Sequence, residues 1–276
     1  MIEMTEQEFQ AISAFIRQHY GINLEKKKYL IESKLRIELA RVRAQNYSEY
    51  WQKLIADTDG TMKQRMLDQL TTNYSYFLRE KKHFDFIDGT VIPGLKQRAG
   101  FTLRILCAGC ASGQEAYTLA MYLTDDKQMG RLKIPFEIIG VDISEKEVLK
   151  AQKAVYGSDD YARIPERWRE NYCTPFKEGQ FAIRDKIKEN VHFYKKNLME
   201  PMYNCREIFQ IVMCRNVLIY IQEPERSRIV KNIVDTLQPG GYLFVGHTEA
   251  LMKDIEKLTY IQPAVYRKGG EVFCKK

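Results

Sequence analysis

Residues 103–121, LRILCAGCASGQEAYTLAM, run from an apolar strand through a turn holding Gly109 and Gly113 into an amphipathic helix. Glycines in such a turn let the backbone come close to a ligand, in the manner of dinucleotide-binding turns, although many α/β proteins carry such a turn for packing alone. Their spacing departs from GxGxxG, and the turn lacks the lysine of a phosphate loop, which argues against a nucleoside triphosphate. In FEIIGVDIS, residues 136–144, Asp142 ends the next strand. A carboxylate there can accept hydrogen bonds from both hydroxyls of a ribose. The competing role is a helix N-cap, for which Ser144 is a rival. Glycine turn and acidic strand end together point to a bound nucleoside.

Two further segments are dense in polar groups. FQIVMCRNVLIYI, residues 209–221, reads as a strand ending in Arg215 and Asn216, with Tyr220 just beyond. Polar groups at the carboxyl end of a central parallel strand project into the crevice where such sheets bind ligands; taken alone, the segment reads better as a helix-capping Asn and a packing Tyr. QLTTNYSYFLRE, residues 69–80, gathers Thr71, Thr72, Asn73 and Ser75 ahead of Arg79 and Glu80. It is either a linker or a lid over the crevice. Cys107-Ala-Gly-Cys110 is formally a CxxC, but it straddles the strand end instead of opening a helix, and no second pair completes a zinc site. His83 and His247 read as structural.

These residues must be positioned by two kinds of architecture. Up to about residue 85 the apolar residues recur at helical spacing: Phe9, Ile12, Phe15 and Ile16, stopped by Gly21; Ile31, Leu35, Leu39 and Val42; Tyr50, Trp51, Leu54 and Ile55; Met62, Met66, Leu67 and Leu70. From Leu103 onward, β-rich runs alternate with helical stretches, at Leu103–Cys107, Glu137–Val141, Val191–Tyr194, Phe209–Met213 and Tyr242–Gly246. That is the pattern of a parallel sheet with crossover helices. Leu258–Gln262 and Ala264–Lys268 are too close for a crossover and predict an antiparallel edge hairpin. Residues 155–190 break the alternation with a helix near Pro165–Tyr172 and a hairpin, Cys173–Lys177 and Gln180–Arg184, turning at Glu178-Gly179. The expected fold is α/β, a doubly wound, mostly parallel seven-stranded Rossmann-like sheet with an antiparallel edge hairpin, a small inserted β-subdomain and an N-terminal helical domain. The expected division is 1–85 and 86–276, with the insertion at about 155–190.

The chain has 276 residues, 45% of them hydrophobic, and a formal net charge of +7. It has neither a signal peptide nor an apolar run long enough to span a bilayer, and its six cysteines lack framework spacing, so a cytoplasmic protein with reduced thiols is expected. Lys26, Lys27, Lys28, Lys34, Arg36, Arg41 and Arg43 face only Glu32 and Glu38 over the same stretch. Lys27, Lys34 and Arg41 recur every seventh residue on the expected second helix, with Arg36 and Arg43 on a parallel line. Such a face is either merely solvated or built for an acidic macromolecule.

Taken together, the four segments resemble a known family. TTNYSYFLRE resembles the Asn-x-Thr-x-Phe-Phe-Arg-Glu signature of the chemotaxis-receptor methyltransferases, the CheR family. AGCASGQEAYTLAM resembles their AGCSTGEEPYSLAM segment, CRNVLIY matches theirs, and LQPGGYLFVGHTE at 237–249 resembles theirs. The resemblance is collinear from about residue 5 to residue 268. Ser75 stands where Thr is usual, Leu78 replaces the second Phe, Gln114 and Ala116 replace Glu and Pro of the GEEP run, and Gln210 replaces an Asp.

The resemblance implies S-adenosylmethionine as methyl donor, with S-adenosylhomocysteine as product, and protein-glutamate O-methyltransferase activity on chemoreceptors. It places cofactor contacts at Asn73, Ser75, Arg79, Glu115, Asp142, Asn197, Leu198, Arg215 and Asn216. Glu115 would serve the methionine part and Asp142 the ribose, while Arg79 and Tyr220 would border the methyl group and the incoming glutamate. The basic residues Lys27, Lys34, Arg36, Arg41 and Arg43 would dock on the acidic helical bundle of a receptor. Family members that tether to a receptor's C-terminal pentapeptide carry extra glycines in the inserted hairpin. The short turn Lys177-Glu178-Gly179-Gln180 predicts no such tether. A nucleic-acid methyltransferase is disfavoured because the Asn/Asp-Pro-Pro-aromatic signature and a prolyl-cysteine nucleophile are missing. A monomer is expected. The other rival is a cofactor sensor without turnover. The resemblance assigns no role to the tail at 269–276.

Overall fold

The computed structural model describes residues 2–95, 97–202, 208–249, 251 and 257–270. Four helices form the N-terminal unit: α1 (Glu6–Tyr20), α2 (Lys28–Arg41), α3 (Tyr47–Ile55) and α4 (Thr61–Leu70). A capping box starts α1: the Thr5 hydroxyl accepts the Glu8 N–H at 3.2 Å and the Glu8 carboxylate accepts the Thr5 N–H at 2.8 Å. Gly21, at φ 76°, ends it as the spacing predicts. The apolar stripes meet in one core of Phe9, Ile12, Ile16, Ile31, Leu35, Tyr50, Leu54, Met66 and Leu70. Ile55, placed by its spacing on the third stripe, is instead exposed.

The basic line on the second helix is shorter than its seven-residue spacing predicts. Lys27 is the N-cap of α2, so it lies just outside the helix. At the other end the chain turns so that Ala44 is buried, and Arg43 sits beyond the helix at φ 53°. Arg36 pairs with Glu32 at 3.4 Å, and Arg41 lies 3.5 Å from the buried Glu38, which also holds Arg65 at 3.1 Å.

A short helix α5 (Lys82–Phe86), a π-helical turn at Ile87–Val91 and α6 (Ile92–Gly94) lead into the sheet. There follow β1 (Leu103–Ala108), α7 (Gln114–Gln128), β2 (Phe136–Asp142), α8 (Glu145–Lys153), β3 (Val155–Gly157), α9 (Ser158–Arg163), α10 (Glu166–Tyr172), β4 (Cys173–Pro175), β5 (Gln180–Ile183) and α11 (Asp185–Lys188). The chain continues with β6 (Val191–Lys195), β7 (Phe209–Cys214), α12 (Glu225–Thr236), β8 (Leu237–Val245), β9 (Leu258–Gln262) and β10 (Val265–Lys268).

Seven strands lie in the order β6-β2-β1-β7-β8-β10-β9, parallel except that β10 runs against both neighbours. All six residues of β7 are buried, as a central strand covered on both faces requires. Side chains alternate between the covers: Ile105, Cys107, Ile211 and Met213 join the core that includes α7, and Leu106, Ala108, Val212 and Cys214 the core that includes α12. The last crossover strand starts at Leu237, earlier than the expected Tyr242. Its Pro239-Gly240-Gly241 run is absorbed as a register shift opposite Phe209–Ile211, where a Cβ on Gly241 would lie 3.0 Å from the Gln210 carbonyl.

The inserted hairpin is present, but it belongs to a three-stranded sheet, β3-β5-β4. Its third strand, Val155–Gly157, is too short to signal itself and is fixed only by pairing with distant Gln180–Ala182. The turn is tight, with the Gln180 N–H donating to the Lys177 carbonyl at 2.8 Å. No described helix is long and apolar enough to cross a membrane. Residues 271–276 of the tail lie outside the described residues.

Candidate functional site

Strand order reverses between β1 and β7, and the crevice beyond their carboxyl ends is the place where open α/β sheets bind ligands. A pocket opens there. Asn73, Ser75, Arg79, Glu115, Asp142, Asn197, Leu198, Arg215, Asn216 and Tyr220 all line it, as does Lys27. Ten positions scattered from 73 to 220 are thus gathered into one wall by the sheet and the stretch 71–80.

The turn after β1 is built for a sharp entry into α7. Gly109 and Gly113 sit at φ 80° and 91°. The space beside them is already filled, however: a Cβ on Gly109 would lie 2.3 Å from the Val217 side chain, and one on Gly113 2.9 Å from Phe193. Both positions favour glycine for left-handed backbone and tight packing, and the Gly109 backbone also lines the pocket, whereas Gly113 does not. Ser144, not Asp142, caps α8. Asp142 is buried, and its two oxygens accept the Ala111 and Ser144 N–H groups at 2.8 and 2.9 Å. Burial holds its carboxyl above the ordinary range, against these backbone bonds. Each oxygen keeps a lone pair for a hydroxyl donor.

Arg215 is the hub of the floor. It is buried, donates to Glu115 at 2.9 Å and to Glu80 at 3.1 and 3.3 Å, bonds the Arg79 carbonyl, and lies over the Phe84 ring. Burial raises the Glu115 carboxyl despite Arg215. At Glu80 burial acts in the same direction, but the Arg215 charge and the Asn216 and Arg215 hydrogen bonds outweigh it, and its pKa is lowered. Asn216 adopts φ 60° and is held by Glu249, whose buried carboxylate accepts the N–H groups of Asn216 and Gly246, each at 2.6 Å, and of Ile219 at 3.1 Å. Asn197 gives its amide to the His19 carbonyl at 2.8 Å and accepts the Met199 N–H at 3.0 Å, so its side chain also fixes α1 to the sheet unit.

The mouth is looser. Arg79 sits between two left-handed residues, Leu78 and Glu80, at φ 61° and 53°. Its guanidinium donates to the Tyr74 carbonyl at 2.8 Å and lies over the Tyr74 and Tyr76 rings. Tyr220 ends a 3-10 turn, Leu218–Tyr220, and Lys27 lies 5.6 Å from its ring centre. The linker after α1 brings Lys27 there: Ile22 bridges to Ile221, and the Asn23 N–H donates to the Tyr220 carbonyl at 2.8 Å.

Two of the substituted motif positions, Gln114 and Gln210, have structural partners. Gln114 is buried and donates to Asp160 at 3.2 Å, away from the pocket lining. Gln210 bridges strands, accepting the Arg104 N–H at 2.6 Å. Glu80 and Glu249 organise the floor, a role the sequence does not assign to either, although both stand in the quoted motifs, FLRE and GHTE. Cys107 and Cys110 are buried with thiols raised well above their usual range, unlike a reactive redox pair.

Residues 73–266 match the family model described as CheR methyltransferase, SAM binding domain, and residues 7–71 match CheR methyltransferase, all-alpha domain. A chemotaxis protein methyltransferase from Borreliella burgdorferi is 33% identical over 273 residues, covering 97% of this chain and 96% of the relative. One from Pseudomonas putida is 32% identical over 249 residues, covering 88% and 90%. One from Vibrio parahaemolyticus is 28% identical, with 95% of each chain covered. The chain belongs to the CheR methyltransferase family. It is a methyltransferase of chemotaxis that uses S-adenosylmethionine.

Proposed function

We propose that the chain methylates glutamate side chains on the cytoplasmic helical bundle of chemoreceptors, forming glutamyl methyl esters. The observation that carries this is the pairing of a nucleoside-ready floor with a cationic mouth: Lys27, Arg79 and Tyr220 line the same pocket as Asp142 and Glu115.

The residues present suit the cofactor. Asp142 has lone pairs for two ribose hydroxyls, and Glu115 is an anionic partner for an amino-acid ammonium. Asn73, Ser75, Asn197, Leu198, Arg215 and Asn216 complete the wall. S-adenosylmethionine supplies an electrophilic methyl on a sulfonium, which a carboxylate oxygen takes as the carbon–sulfur bond breaks toward a neutral thioether. A glutamate has a solution pKa of about 4.3 and is already the nucleophile at neutral pH, so no general base is needed. The protein must then align the carboxylate and strip its water. Arg79 positions one carboxylate oxygen from its perch on Tyr74 and Tyr76, while the Tyr220 hydroxyl holds the group near the methyl. An arginine fully committed to the attacking oxygen would lower its nucleophilicity; the bond from Arg79 to the Tyr74 carbonyl shares out its donors.

The part at 1–85 supplies the basic docking face and, through Asn73, Ser75 and Arg79, one side of the pocket, and the part at 86–276 supplies the rest. Lys34, with its pKa lowered by burial and by the Lys27 and Lys146 charges, is ready to gain from an incoming carboxylate. Arg36, Arg41 and Arg43 extend this face. The tight turn at Lys177–Gln180 supports docking without a pentapeptide tether. Incubating the protein with methyl-labelled S-adenosylmethionine and a chemoreceptor cytoplasmic fragment should label the fragment, and alkali should release the label as methanol. Base-stable label, or none on the fragment, would defeat the assignment.

A further inference from the structure

Behind the hub arginine, Glu80 belongs to a cluster whose two histidines the proposed methyl transfer does not use. Glu80, His83 and His247 each offer one donor atom, and these atoms all lie within 4.8 Å of one another. His83 Nδ1 lies 3.6 Å from Glu80 Oε2, and the two imidazole rings are tilted at 38° with centres 4.7 Å apart. His83 is 1% exposed, and neither of its ring nitrogens has a hydrogen-bond partner among the described residues. A buried imidazole in that condition forfeits about 1–3 kcal/mol per unsatisfied group, so something should compensate it. His247 is exposed. None of the three lines the cofactor pocket.

We propose that Glu80, His83 and His247 bind a divalent transition-metal ion of the zinc class, and that its binding weakens the cofactor site. Two imidazoles and one carboxylate are a ligand set that suits zinc, with water in the fourth position. With bonds of about 2.0–2.2 Å the donors of a tetrahedral site stand roughly 3.3–3.6 Å apart, so a small rotation of His247 closes the cluster.

The coupling runs through Glu80. Its Oε2 accepts both Arg215 bonds, at 3.1 and 3.3 Å, and its Oε1 accepts the Asn216 amide at 3.2 Å. An ion drawing on Oε2 competes with Arg215 and adds positive charge beside it. Arg215 also holds Glu115 at 2.9 Å, so the proposed anionic seat for the cofactor ammonium shifts with it.

The test uses the full chain, cobalt(II) as a spectroscopic stand-in, and zinc(II). Cobalt should produce the visible absorption of a four-coordinate ion, with affinity lost at least ~10-fold in His247→Ala. Saturating zinc should weaken S-adenosylhomocysteine binding about 10-fold by calorimetry in the wild type and leave it unchanged in His247→Ala. Metal-free affinity for the product should be equal in the two proteins. A wild type with no such absorption, a spectrum that survives in His247→Ala, or a zinc effect equal in both proteins would overturn the proposal. Because the readouts are metal and product binding, they stand apart from the identity of the methylated substrate.

Discussion

At the floor of the crevice the charged groups are bonded before any ligand arrives, whereas at the mouth they face the opening. Asp142 holds two backbone N–H groups, and Arg215 is shared by Glu80 and Glu115. Lys27 and Arg79 have no carboxylate partner among the described residues and instead lie over tyrosine rings. The difference matches the two tasks. A small cofactor that arrives in the same form each time rewards a rigid, pre-bonded seat, because ordering costs are then met by folding. A carboxylate on a large partner needs cations that are free to pair, and a salt-sensitive encounter.

The largest effect expected is at the hub. Arg215→Ala leaves two partly buried carboxylates without their cation and should lower unfolding free energy by about 3 kcal/mol in urea titrations; a near-neutral result would mean the floor is not pre-bonded as described. Asp142→Asn keeps the size but turns one acceptor into a donor. It should weaken cofactor binding about 10-fold or more by calorimetry, and a normal affinity would remove the ribose from this residue. Replacing both Lys27 and Lys34 with Ala should raise KM for a receptor fragment several-fold, by roughly 1 kcal/mol at low salt, with the difference fading as salt is added and cofactor affinity untouched. An unchanged KM would make the basic face a merely solvated one. The smallest expected effect is on pH. The Glu115 carboxyl lies above its usual range, and only its ionised form pairs with an ammonium. Cofactor affinity should therefore decline as pH falls through that raised value, and Glu115→Gln should flatten the profile.

The mouth was harder to read from sequence than the floor. Strand ends and their polar residues were legible because a buried parallel sheet leaves a continuous apolar signature, so Asp142, Arg215 and Asn216 could be placed at its carboxyl edge. The family motifs then supplied Asn73, Ser75, Arg79 and Glu115. What did not show was anything set by contact between distant segments. Lys27 reads as one more cation on a basic helix, and only the Ile22–Ile221 bridge brings it over Tyr220. Strand β3 exists only because β5 pairs with it. Glu249 carries no signal of its own; its three accepted N–H bonds come from a loop more than twenty residues upstream and from its own turn. The glycine turn is legible as a turn whose backbone nears a ligand, and Gly109 lines the pocket, but the packing of Val217 and Phe193 against its glycines is set by distant segments.

The division of labour between floor and mouth is tested most directly at Tyr220, measuring cofactor affinity and single-turnover methyl transfer on the same Tyr220→Phe protein. If the hydroxyl orients the incoming carboxylate, transfer slows by about 100-fold while the cofactor dissociation constant stays within about twofold. A weakened cofactor affinity with an unchanged transfer rate would place Tyr220 on the cofactor side and contradict the account.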